Sequence, residues 1–143
     1  MPHLVMLYTG QLDQEVRIGT LCRQLADAML AVRDEADKPV FPPGGTRVLA
    51  YPAPHYAVAD GGAAGRAAGG SGDYAFVYLN LRMARGRSQA TQQRAGQMLL
   101  KVAQDFFAPT MAQRHIGITL QIDEGAEVFD AKHSNLHPLF RSA

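Results

Sequence analysis

The sequence is short of cysteine, of charge imbalance and of long apolar runs, and each shortage removes a class of protein. Cys22 is the only cysteine, so no intrachain disulfide can form and a reducing compartment, the cytoplasm, is the expected setting. The 14 Lys+Arg are offset by 13 Asp+Glu, leaving a formal net charge of +1. A global basic field for nucleic acid or an anionic membrane is therefore absent, and any positive potential has to be local. No segment reaches the ~18 consecutive apolar residues of a spanning helix, and the opening Met1-Pro2-His3 carries no basic n-region, so a soluble, unexported chain is expected. What remains is a folded composition, 47% hydrophobic and 19% charged over 143 residues, which is the size of one compact domain.

Periodicity divides the chain into two similar halves. His3 to Tyr8 is almost continuously apolar, the pattern of a strand buried on both faces. Val16, Leu21, Leu25, Met29 and Val32 then recur near the helical period and end among the charges of Arg33 to Lys38. Pro39, Pro42, Pro43, Gly44 and Gly45 exclude helix, and Thr46 to Tyr51 reads as a second strand. The run from Gly61 to Gly72, framed by Asp60 and Asp73, is low in complexity and reads as a mobile surface loop, an insertion that could border a site. Tyr74 to Met83 is the strongest strand signal and should lie centrally in a sheet. After it, Ser88 can cap a helix bearing Ala95, Met98, Leu99, Val102 and Phe106 on one side. Beyond Pro109 the chain runs on through Met111 and Arg114 to the alternation Ile116–Ile122. The fold class is α/β (α+β): two consecutive β-α-β units, each with parallel strands and a right-handed crossover, in a single domain over 1–143. The stretch 126–143, with Phe129, Leu136, Leu139 and Phe140, reads as an arm that packs on another subunit.

Pro2 is the first candidate for chemistry. Removal of Met1 would expose a secondary amine with no side-chain freedom, and an α-amino group of ordinary pKa ~8 is brought towards neutrality by burial or a nearby cation, where a general base works best. Other constellations are weaker. His133 and His137 stand four apart without a third ligand at metal spacing, and Pro138 follows at once, so no metal is expected. The glycine run lacks the Lys-Ser/Thr of a phosphate loop, and no cofactor is implied. His3 reads as a packed strand histidine, His55 as a loop residue, and Cys22 as a buried thiol with no activating cation.

Several separated segments, in order, resemble the 5-carboxymethyl-2-hydroxymuconate Δ-isomerase family of the tautomerase superfamily. They are Met1-Pro2-His3-Leu4-Val5, Phe41-Pro42-Pro43-Gly44-Gly45-Thr46-Arg47, Ala59-Asp60-Gly61, Asp73-Tyr74-Ala75-Phe76-Val77, Gly86-Arg87-Ser88 and Asn135-Leu136-His137-Pro138-Leu139-Phe140. The resemblance implies a tautomerase-like sheet with its helices on one face, a homotrimer, and an isomerase of aromatic catabolism. In that reading Pro2 shuttles a proton within an unsaturated 2-oxo or 2-hydroxy di- or tricarboxylic acid. Arg47 matches an arginine of the family motif and would polarise the keto oxygen or its carboxylate; Arg87, at a helix start where N–H groups favour anions, would bind substrate beside it. Phe41 and Tyr51 would supply an apolar wall that keeps the amine neutral. Arg82 and Arg85 lie close by in sequence and are weaker candidates, read first as surface or subunit-contact charges. Two departures stand out: Leu7 and Leu49 replace a glutamate and a second arginine of family members, which points to a smaller or less charged acid or to a different reaction on the same proline. Two other readings stay open, a hydratase or dehalogenase on the same scaffold and a trimeric binding protein without catalysis.

Overall fold

The computed structural model describes residues 2–141. Strand β1 (His3–Thr9) is followed by a 3-10 turn over Gly10–Gln14 and helix α1 (Ile18–Ala31). The turn buries Leu12 and delays the helix by two residues relative to Val16. Buried Ile18, Leu21, Leu25 and Met29 then form the apolar stripe of α1. Strand β2 (Arg47–Ala53), a five-residue helix α2 (Ala63–Ala67), strand β3 (Ala75–Ala84), helix α3 (Gln89–Met111) and strand β4 (Ile116–Gly125) complete the core elements. A last 3-10 turn covers His137–Phe140.

Helix α3 begins at Ser88, whose hydroxyl accepts the Thr91 N–H at 3.1 Å. Ala95, Leu99, Ala103 and Phe107 repeat every four residues on its buried side. The helix continues through Pro109, which gives up one backbone bond near the end while buried Phe107 and Thr110 on either side hold the turn.

The strands form one sheet in the order β2-β1-β3-β4. Pairing is parallel for β1–β2, antiparallel for β1–β3 and parallel for β3–β4. The two expected β-α-β units are therefore present and meet back to back along β1 and β3. Leu4, Met6, Val77, Leu79 and Leu81 face α1 and α3 in a continuous core. Both helices lie on this face.

On the other face β1 departs from expectation. Its burial alternates, and Leu7 is 47% exposed, because nothing among the described residues covers that side. Its neighbours in register, Leu49 opposite Val5 and Tyr51 opposite Leu7, are also exposed. An apolar strand thus has one face packed and one bare within the protomer.

The glycine-rich run is also more ordered than expected. The Asp60 carboxylate accepts the N–H groups of Gly62 and Ala64, each at 3.0 Å, and starts α2. The Tyr74 hydroxyl accepts the Gly65 N–H at 2.8 Å. A Cβ at Gly65 would stand 2.7 Å from the Tyr74 ring, so the close approach requires glycine. The anchors are outside the run itself, so its composition does not reveal them. The run connects the end of β2 to the start of β3, far from Pro2 in the same protomer. It does not border a site there. At that far end Arg114, with an 11% exposed side chain, pairs with Glu15 at 2.5 Å and Asp73 at 3.2 Å.

The α3 cap gives a stability test. Ser88→Ala is expected to cost about 1 kcal/mol through loss of the N-cap bond, read as a lower urea midpoint with an unchanged slope.

Candidate active site at the amino-terminal end of the sheet

Strand directions gather the candidate residues at one end. Because β1 and β2 are parallel and start together, while β3 and β4 run the opposite way, Pro2 meets the start of β2 and the ends of β3 and β4. Pro2 is buried at this end, one residue before β1. His3 pairs with Arg47 on one side and with Arg82 on the other. Residues opposite one another share a sheet face, so the two arginines flank the first residue of β1.

Neither Arg47 nor Arg82 has a carboxylate within ion-pair distance among the described residues. This contrasts with Arg114, whose charge is neutralised at the other end. Burial, then the cations of Arg47 and Arg82, hold the His3 imidazole below its ordinary pKa, with Asp130 opposing them. Asp130 comes from the carboxy-terminal segment and is itself ion-paired to Lys132 at 2.6 Å. The tail thus returns to the Pro2 end, and His137 packs on Gly44 so closely that a Cβ there would meet the imidazole at 3.0 Å. A groove of about 630 Å³ lies beside Arg47, between α1 and β2, with Cys22, Thr46 and Phe140 in its walls. A second groove of about 650 Å³ follows β4 and α3 and includes neither Pro2 nor an arginine.

Arg87 stands in the connection to α3 and donates from Nη2 to the Val40 carbonyl at 2.9 Å. The helix start beside it is not an open anion site. Its Ser88 and Thr91 hydroxyls both donate to the Glu35 carboxylate, the Thr91 bond at 3.1 Å. Those bonds, Ser88 first, hold Glu35 below the usual carboxylate range. Arg87 therefore combines a structural bond with an otherwise exposed guanidinium.

Phe41 and Tyr51, expected to supply an apolar wall, differ in their surroundings. Phe41 is 1% exposed and belongs to the core. Tyr51 lies four residues along β2 from Arg47, ~13 Å away at strand spacing, too far to share a small substrate with Pro2 in one protomer. His133 lies in irregular chain and His137 in a 3-10 turn, so their spacing of four is not a helical one. Among the described residues no group of three or more His, Cys, Asp or Glu is placed to hold a metal. Cys22, half-buried on α1, has its thiol pushed up by burial. No helix is long and apolar enough to cross a membrane.

Asp130 is a residue that sequence reasoning missed, and Arg82 one that it ranked below Arg47 and Arg87. For Arg82 a signal existed: Leu81 and Met83 belong to the core, which puts Arg82 on the opposite face of the same strand. Its partner His3, however, follows only from the register.

The electrostatics predict that His3 titrates below 6.5 in the folded protein and moves back towards that value in Arg47→Ala, followed by NMR of the imidazole protons. A lowered folded-state pKa means that the unfolded chain binds the proton more readily. The His3 contribution to stability is thus fully present above pH 6.5 and lost as pH falls through the folded-state value.

Comparison with known proteins bears on this geometry. The profile of the family described as 5-carboxymethyl-2-hydroxymuconate isomerase matches residues 2–140. The 5-carboxymethyl-2-hydroxymuconate Delta-isomerase of Escherichia coli is 26% identical over 141 residues, covering 99% of this chain and all of that protein. A crystal structure of a 5-carboxymethyl-2-hydroxymuconate delta-isomerase is 63% identical and superposes with a TM-score of 0.96, covering 100% of this chain and 95% of the other. The 5-carboxymethyl-2-hydroxymuconate isomerase of Deinococcus radiodurans R1 is 34% identical with a TM-score of 0.79, covering 99% and 95%. With a matching profile over nearly its whole length and a fold shared at this identity, the chain belongs to the 5-carboxymethyl-2-hydroxymuconate isomerase family and is an isomerase.

Proposed function

We propose that the Pro2 amine, freed by removal of Met1, is the base of this isomerase, and that the substrate is an unsaturated 2-oxo or 2-hydroxy acid with more than one carboxylate. Met1 itself lies outside the described residues. The observation that carries the proposal is the burial of Pro2 at the mouth of β1, next to a residue flanked by two arginines that have no carboxylate within ion-pair distance among the described residues. Burial and cations each disfavour the protonated amine. A neutral secondary amine can then take a proton from one carbon of the conjugated acid and return it at another.

As the proton leaves, negative charge builds on the 2-oxygen. Arg47 is positioned to stabilise that oxygen or the adjacent carboxylate, and a guanidinium keeps its charge throughout. Arg87 can bind a carboxylate with the part of its fork not engaged by Val40. The activity fits the isomerisation named for the relatives, a step in the breakdown of aromatic compounds, and the single cysteine supports a cytoplasmic setting.

The assembly we propose is a homotrimer. Its support is the bare sheet face with exposed Leu7, Leu49 and Tyr51, and the arm 126–143, whose Phe129 and Leu139 are 81% and 72% exposed. Residues 142 and 143 of that arm lie outside the described part. Closure of the face by a second copy would complete the burial expected for β1, and would make Tyr51 and the glycine-rich run available to a neighbouring site.

The test is kinetic, with a 2-hydroxymuconate-type dienol as substrate. Pro2→Ala is expected to lower kcat by about a hundredfold or more, and Arg47→Ala to lower kcat/KM by about 10²–10³ with partial recovery in Arg47→Lys. Activity indifferent to Pro2 would overturn the mechanism.

A further inference from the structure

The second unpaired arginine at the mouth of β1 has a role that the reaction does not explain. One arginine suffices to stabilise the developing enolate, yet Arg82 stands at the same level as Arg47 on the other side of β1. With two strand spacings between them, the Cα atoms of Arg47 and Arg82 are ~10 Å apart, and β1 lies midway.

Several acidic residues lie close to Arg82, and most are engaged elsewhere. Asp123 is directly opposite it on β4, but accepts from the Asn80 amide at 2.9 Å. Glu124 accepts from Gln92 at 2.6 Å, and Asp130 pairs with Lys132. Glu127 leans over Gly125 without an ion pair to Arg82 among the described residues. Gly125 itself makes room for the guanidinium. A Cβ there would meet Arg82 Nε at 3.1 Å and Nη2 at 3.3 Å. The guanidinium thus rests on bare backbone at the end of β4, with Glu127 nearby but no carboxylate within ion-pair distance among the described residues.

We infer that Arg82 is a specificity-determining residue that binds the substrate carboxylate remote from the 2-oxygen, so that the enzyme selects diacids whose two carboxylates reach Arg47 and Arg82 on either side of Pro2. This rests on the proposed function for the location of the reacting carbons, but binding of a diacid can be measured without turnover. An extended six-carbon diene diacid spans a length comparable to the separation of the arginines, which leaves the carbons between its carboxylates near the strand mouth. The lost charge at Leu49 does not remove the second cation from the site; the second cation is on β3 instead.

The experiment compares binding of trans,trans-muconate and sorbate, six-carbon dienes that differ by one carboxylate, to the wild type and to Arg82→Gln and Arg82→Lys, by calorimetry. The wild type is expected to bind muconate at least tenfold more tightly than sorbate. Arg82→Gln should bring that ratio to near one by weakening muconate alone, and Arg82→Lys should restore part of it. A ratio unchanged in Arg82→Gln, equal loss of both ligands, or a wild type that does not discriminate would overturn the assignment. The Pro2 kinetics fail independently of this result, since indifference of activity to Pro2 leaves the muconate-to-sorbate ratio intact.

Discussion

The pairing of β1 on both of its edges is the constraint on which the rest of the site depends. A strand that starts at His3 would ordinarily leave a frayed terminus. Here β1 runs parallel to β2 and antiparallel to β3, and its core side is filled by Leu4 and Met6 against α1 and α3. Terminal backbone becomes central backbone. A group attached to it is held as firmly as the sheet, so the amine of Pro2 needs no side chain to position it. The same pairing selects which arginines stand beside it, because His3 can have only one partner on each neighbouring strand.

The two ends of the sheet use arginine differently. Arg114 at the far end is largely buried and neutralised by Glu15 and Asp73, which ties the loops there to each other. At the Pro2 end, Arg47 and Arg82 have no carboxylate within ion-pair distance among the described residues; Asp123 and Glu124 accept from the amides of Asn80 and Gln92, Asp130 pairs with Lys132, and Glu127 lies over Gly125 beside Arg82. Glu35 acts similarly at α3: it occupies the helix start, bonded by Ser88 and Thr91, and anchors the connection that carries Val40 and Phe41. An internal carboxylate takes the helix-terminal anion position.

Much of this architecture is legible locally. The apolar stripes of α1 and α3, the cap at Ser88 and the alternation of β3 and β4 are all short-range patterns, and together they imply two β-α-β units. What local pattern cannot supply is register and neighbour. Arg82 reads as a surface charge until His3 is found opposite it. Tyr51 reads as a neighbour of Arg47 in sequence, but β2 carries it ~13 Å along the strand. Phe41 sits in a motif but is held in the core, and the glycine-rich run is ordered by Asp60 and Tyr74, which lie outside it. The continuous apolarity of β1 describes a burial that one protomer only half provides.

The claim at the centre of this account is that the amino-terminal nitrogen is a secondary amine kept neutral by its surroundings. Its most direct test is a pH titration of that nitrogen by NMR in protein labelled with ¹⁵N-proline. The account predicts an amine resonance from Pro2 that titrates below the ordinary α-amino range of about 7.7 to 8.0 and shifts upward when Arg47 is neutralised. A Pro2 nitrogen that is an amide, or an amine that titrates at or above the ordinary value, would contradict it.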